Sequence, residues 1–131
     1  MKRILVAYDG SSAADKAFSL ALELAGKYGA ELHVLAVARP PEFGSEVETE
    51  AVIEYSKQHC HHMLRPLQVL AGEQKAVAVH FDVRVGHPAD RIVRYAEDWL
   101  ADLIVVGHRG HTFFERWLVG SVAKHVMDHA P

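Results

Sequence analysis

Short apolar runs alternate with segments of helical period along this chain, and that alternation limits the fold more than any other feature. Residues 4–8, 32–38 and 103–106 are apolar runs too short for helices, the pattern of buried strands. Residues 76–85 alternate in part and are β-branched, which predicts a further strand. Between the strands, Ala14, Phe18, Ala21, Leu22, Ala25 and Tyr28 recur at helical spacing, as do Ala89, Ile92, Val93, Ala96 and Leu100. A long helix is expected over 47–70, with Pro66 as a kink or an early end. Leu118, Val119, Val122, Ala123 and Val126 mark a last helix. The order β-α-β-α-β-α-β-α with short connections predicts an α/β fold: a single-domain open parallel sheet with right-handed crossovers and helices on both faces, four strands being visible.

In such sheets ligands bind beyond the carboxyl ends of strands, where the strand order reverses. Asp9 follows the first strand, Val37 and Ala38 end the second, and Gly107 follows the fourth. If strands one and four are neighbours, these positions meet in one cleft. Residues 102–121 carry the densest signal. A buried run leads into Gly107 and Gly110 with His108 and Arg109 between them, and Gly120 and Ser121 then head an apolar pattern of helical period. Glycines let backbone N–H groups approach an anion, and a helix start adds unpaired donors and a favourable dipole. The spacing is neither the dinucleotide fingerprint nor the Walker loop, and a plain turn without ligand fits it equally well. Arg109, Arg116, Lys124, His108 and His111 in or near the loop, with the Ser121 hydroxyl, favour a polyphosphate. Asp9 has two uses open to it: capping the first helix, or accepting ribose hydroxyls and holding a divalent cation beside phosphates.

Composition narrows the classes. At 131 residues the chain is long enough for one domain with a real core. A net charge of −3 with both signs mixed favours neither nucleic acid nor an anionic membrane as partner. Cys60 is the single cysteine, so no internal disulfide forms, which fits a reducing, cytoplasmic setting. The apolar run before Asp9 is too short for a signal peptide, and no run approaches the ~20 residues of a membrane helix. His59, Cys60, His61 and His62 are consecutive. On a helix they fan around the axis, so a surface cluster is expected there rather than a metal site. Trp99 and Trp117 are expected to pack rather than to stack on a ligand, and His87 to serve the turn before Pro88.

The early VAYDGS stretch, the VGHPADRIVRYAEDWLADLIVVGHRG stretch, and a G-2x-G-9x-G-[ST] motif met at Gly107, Gly110, Gly120 and Ser121 together resemble the universal stress protein family. The likeness spans nearly the whole chain and is weakest over 40–76. It implies a Rossmann-like, adenine nucleotide alpha hydrolase-like fold that binds ATP or AMP, with Mg or Mn. On that reading Asp9 faces the ribose or its cation and Val37 faces the adenine. Gly107, Gly110, Gly120 and Ser121 hold the phosphates, while His108 and Arg109 add charge at variable motif positions. The function implied is a nucleotide-dependent stress switch or sensor, a homodimer whose ordered loop a protein partner reads. An alternative is a slow ATPase or nucleotidyl transferase using Asp9 and a divalent cation. Another is an interaction module whose glycine loop is structural. No catalytic residue is assigned, because Asp9 is the one obvious acid near the phosphates and no activating base accompanies it. Family members usually run past a His-Ala-Pro-like segment into a fifth strand that often builds the dimer interface. The sequence ends at Pro131 without that strand, and in a molecule that stops there the edge of strand four is expected to be open.

Overall fold

The computed structural model describes residues 1–41, 46–107 and 116–118. Its elements are β1 (Arg3–Ala7), α1 (Ser12–Tyr28), β2 (Glu31–Ala38), α2 (Glu46–Glu73), β3 (Val79–Val85), α3 (Pro88–Trp99), β4 (Leu103–Val106) and β5 (Arg116–Leu118). They form one sheet in the order β3-β2-β1-β4-β5. The first four strands pair in parallel, as the alternation of runs and helices requires. The crossovers from β1 to β2 and from β2 to β3 step one way across the sheet, and the crossover from β3 to β4 steps back past β1. Right-handed connections therefore put α1 and α2 on one face and α3 on the other.

The core follows the strand period. Ile4, Val6 and Tyr8 of β1 and its end pack with Ala14, Phe18, Leu64 and Leu67 on the first face. The alternate residues Leu5 and Ala7 pack with Ile92, Ala96 and Ile104 on the second. Because β1 is covered on both sides, it reads as a continuous apolar run rather than an alternating one. At the opposite end of the strand, the Asp102 carboxylate accepts the Lys2 and Arg3 amides at 2.7 and 2.8 Å. Those two hydrogen bonds hold its carboxyl below the usual carboxylate range.

Two expectations change. Helix α2 does not end at Pro66 but runs through it to Glu73. The missing amide costs about 3 kcal/mol. Leu64, Leu67 and Ala71 bury themselves on the sheet on both sides of the proline, and two leucines at about 1.5–3 kcal/mol each offset that cost. Leu118, expected in the last helix, belongs instead to β5, which runs antiparallel to β4 with Ile104 opposite Leu118 and Val106 opposite Arg116. A short apolar run cannot be assigned to strand or helix by period alone, and the return of the chain covers the β4 edge that was expected to stay open. The remainder of the expected last helix lies outside the described residues.

Helix α3 is clamped to β2 through one histidine. The His33 ring stacks on Trp99, with centroids 3.6 Å apart and planes 13° apart. Its Nδ1 is 2.6 Å from the Tyr95 hydroxyl and its Nε2 is 3.2 Å from a Glu31 oxygen. Burial is the main influence and holds the imidazole below its usual range, with Glu31 and Asp82 opposing and the neighbouring His80 reinforcing the effect; Arg84 lies over the Tyr95 ring beside them. As pH falls below about 6.5 the unfolded chain therefore takes up this proton before the folded one does. Stability from His33 is complete above that pH, declines through the window down to the lowered folded value, and levels off below it. A melting series from neutral to acidic pH should fall less steeply in His33→Phe, which keeps the stack without the titration. Parallel curves for the two proteins would show that His33 does not titrate in the fold.

Candidate functional site

The strand order reverses between β1 and β4, and a cavity of about 200 Å³ opens there at the carboxyl ends of the strands. Asp9, Val37 and Gly107 all line it. The pairing of β1 with β4 brings Asp9 and Gly107 to the same end of the sheet, and β2 adds Val37 beside them. Leu35, Pro88 and Ile92 supply further apolar wall.

Local geometry explains how Asp9 is presented. Gly10 has φ +84°, and a Cβ there would also sit 2.6 Å from the Met63 sulfur, so only glycine makes this turn without strain. The turn is fastened by the Ser11 amide, which donates to Asp9 Oδ1 at 2.9 Å. The cap of α1 is Ser11 rather than Asp9: the Ser11 hydroxyl oxygen accepts from the Ala14 amide at 3.1 Å. Asp9 is thus exposed at the cleft with one carboxylate oxygen held by the Ser11 amide and its capping role taken by a neighbour. Tyr8 turns to the other face and donates its hydroxyl to Asp15 at 2.5 Å. Burial first, and then that carboxylate, push its phenol well above the usual range, so it stays a protonated, committed donor.

Gly107 meets a different constraint. Its backbone is not in the left-handed region, but a Cβ would collide with the Ala13 carbonyl and the Ala14 amide. The end of β4 therefore lies directly against the first turn of α1. That contact places Gly107 itself beside a helix N-terminus, whose amides favour anions. His108, Arg109, Gly110, Gly120 and Ser121, as well as His111 and Lys124, lie outside the described residues.

Pro88 and Ile92 are wall residues that the sequence reading assigned only to helix start and helix core. Their signal was topological: α3 begins at the carboxyl end of β3 and must cross the second face to reach β4, which lays its first turns over the switch point. For a metal, the described residues offer no group of three or more His, Cys, Asp or Glu side chains. Cys60 is buried, its thiol pushed up by burial, while His59, His61 and His62 fan out into solvent. Among the described residues no helix is long and apolar enough to cross a membrane.

A mostly parallel sheet with its cleft at the β1/β4 reversal defines a Rossmann-like α/β protein. The model of the universal stress protein family matches residues 1–131, and the chain belongs to that family. A universal stress protein of Methanocaldococcus jannaschii is 34% identical over 132 residues, covering 98% of this chain and 77% of the relative. The solved structure of a universal stress protein from Lactobacillus plantarum superposes with a TM-score of 0.76 at 28% identity, covering 99% of this chain and 92% of the other. A universal stress protein family protein from Arabidopsis thaliana, solved with AMP bound, shares the fold at a TM-score of 0.60 and 20% identity, covering 99% of this chain and 86% of that one.

Proposed function

We propose that this chain binds an adenine nucleotide, ATP in the first instance, in the β1/β4 cleft and acts as a nucleotide-dependent switch or sensor in the stress response. The observation that carries the reading is the meeting of Asp9, Val37 and Gly107 in one cavity at the switch point. The donor set suits the ligand in parts. Val37, Leu35 and Ile92 offer apolar surface to a base, and the exposed Asp9 carboxylate offers an acceptor to ribose hydroxyls or a ligand to Mg or Mn. The cavity is below the ~300 Å³ of ordinary small-molecule pockets, so it suits the base and sugar. The phosphates fall to the stretch that leaves Gly107, with Gly110, Gly120 and Ser121 supplying amides and a hydroxyl, and His108 and Arg109 adding charge. The AMP held by the Arabidopsis thaliana relative is consistent with this reading. The family resemblance supports a homodimer, and a protein partner would read the ordered loop.

Binding without fast turnover fits the chemistry better than an enzyme does. Asp9 is the one carboxylate among the described residues that line the cavity, and the nearby Tyr8 hydroxyl is committed to Asp15. No base and nucleophile stand together among the described lining residues. The deciding experiment is to denature freshly purified protein and identify any released nucleotide by mass. ATP or AMP should be released in near-stoichiometric amount, and emptied protein should gain melting temperature with ATP and magnesium. No released nucleotide together with no thermal shift would overturn the reading in favour of a structural glycine loop.

A further inference from the structure

A second cleft lies between α3 and the edge strand β3, with a volume of about 270 Å³ and no wall residue in common with the first. His80, Asp82 and Arg84 come from one face of β3 at alternate positions, and Arg91, Arg94, Tyr95, Asp98 and Trp99 come from α3 at helical spacing. Some of these groups are already engaged. Arg84 Nε meets Asp82 Oδ2 at 2.9 Å and its guanidinium lies 5.2 Å over the Tyr95 ring. The other Asp82 oxygen accepts the Val83 amide at 2.8 Å. Arg91 and Arg94 are different: they stand one helical turn apart on the exposed side of α3, and neither has an ion-pair partner among the described residues. Beside them are two half-buried rings, Tyr95 and Trp99, held in place from beneath by His33.

We propose that this second cleft binds a small aromatic carboxylic acid, with Arg91 and Arg94 on its carboxylate and Tyr95 and Trp99 against its ring. Two guanidiniums within reach of one anion match a carboxylate's paired lone pairs. The Tyr95 hydroxyl is engaged by His33, which leaves the Tyr95 and Trp99 rings as flat apolar surface for a planar ligand. The volume lies under the ~300 Å³ lower bound of drug-sized pockets, which limits the ligand to one or two rings. Asp98, the carboxylate left without an ion-pair partner among the described lining residues, repels a second acid group and selects a monoanion. The inference stands apart from the nucleotide reading and survives its failure.

The test is a titration of the full chain with 2-naphthoate, followed by NMR at the Trp99 indole N–H and the Arg94 Nε–H. Cyclohexanecarboxylate and sulfate serve as a ringless acid and a bare anion. Saturable shifts at both groups with naphthoate, and much weaker ones with the two controls, are expected. The double variant Arg91→Gln/Arg94→Gln should bind about tenfold more weakly or worse, the size of a lost charged hydrogen bond. Both side chains are exposed, so its melting curve should match that of the parent. Asp98→Asn should bind about two- to fivefold more tightly, the size of a screened surface charge effect, and a gain of that kind cannot come from misfolding. Shifts that do not saturate, equal responses to all three anions, or unchanged affinity in the arginine and aspartate variants would overturn the proposal.

Discussion

Replacing Gly107 with valine is expected to destabilise the protein by about 3 kcal/mol or more, because the side chain has nowhere to go. The Cβ alone would meet the Ala13 carbonyl and the Ala14 amide, which are main-chain atoms of two buried residues in the first turn of α1. A flexible side chain could swing away; a helix backbone cannot. Either β4 shifts in its register with β1 or α1 lifts from the sheet, and both movements open the core around Val6, Phe18 and Val105. Urea unfolding measures the outcome. The midpoint should fall sharply, and the slope should stay unchanged if only the native state is affected. A midpoint equal to that of the parent would mean that the end of β4 does not approach α1 this closely. The result bears on function as well. Gly107 is the first glycine of the G-2x-G-9x-G-[ST] spacing, yet its first duty is a packing joint between strand and helix. A Gly107 variant that loses nucleotide therefore says little about phosphate contacts.

The sheet was legible because β1, β2 and β4 are buried on both faces, which leaves short continuous apolar runs, while β3 showed itself by partial alternation and β-branched residues. Asp9, Val37 and Gly107 meet in the sequence pattern once strands one and four are neighbours, because a parallel sheet leaves few ways to join strands and the reversal falls where the third crossover turns back. What the sequence did not reveal depends on packing across elements. Pro66 is a helix breaker in isolation, and only the burial of Leu64 and Leu67 around it shows why α2 continues. The end of α3 carries no glycine: Leu100 itself adopts φ 61° to turn the chain, a conformation that costs a non-glycine residue about 1–2 kcal/mol. Leu118 reads from sequence as the start of the last helix, and the free hydrogen-bonding edge of β4 draws it into a strand instead.

Helix α3 links the two clefts physically. Pro88 and Ile92, in its first turns, wall the β1/β4 cavity, while Arg91, Arg94, Tyr95 and Trp99 wall the second. It is held to the sheet by the apolar contacts of Ile92, Val93 and Ala96 and by the His33 stack. Its amphipathic pattern therefore serves three surfaces: one face toward the core, and a flank toward each cleft. That is why a helix read from sequence as ordinary packing carries wall residues for both.

Val37→Trp is expected to weaken ATP binding about a hundredfold or more, roughly 2.7 kcal/mol, while leaving the fold in place. Val37 is half-buried near the end of β2 and projects toward α3, the side on which the cavity lies. A tryptophan there enters existing space of about 200 Å³ rather than a packed core, so overpacking should be slight and the melting temperature nearly unchanged. The indole would occupy the volume assigned to the base. Calorimetric titration of emptied protein with ATP and with AMP makes the comparison, and Val37→Ala serves as the control that enlarges the cavity. Both nucleotides should lose affinity together in the tryptophan variant, because they share the base and the sugar. If affinity for both survives while the protein remains folded, the base lies elsewhere, and the β1/β4 cavity is not the adenine site even though Asp9 and Gly107 frame it. If AMP binding is lost but ATP binding is kept, the phosphates alone hold the ligand, and Val37 contributes only to the choice of nucleotide.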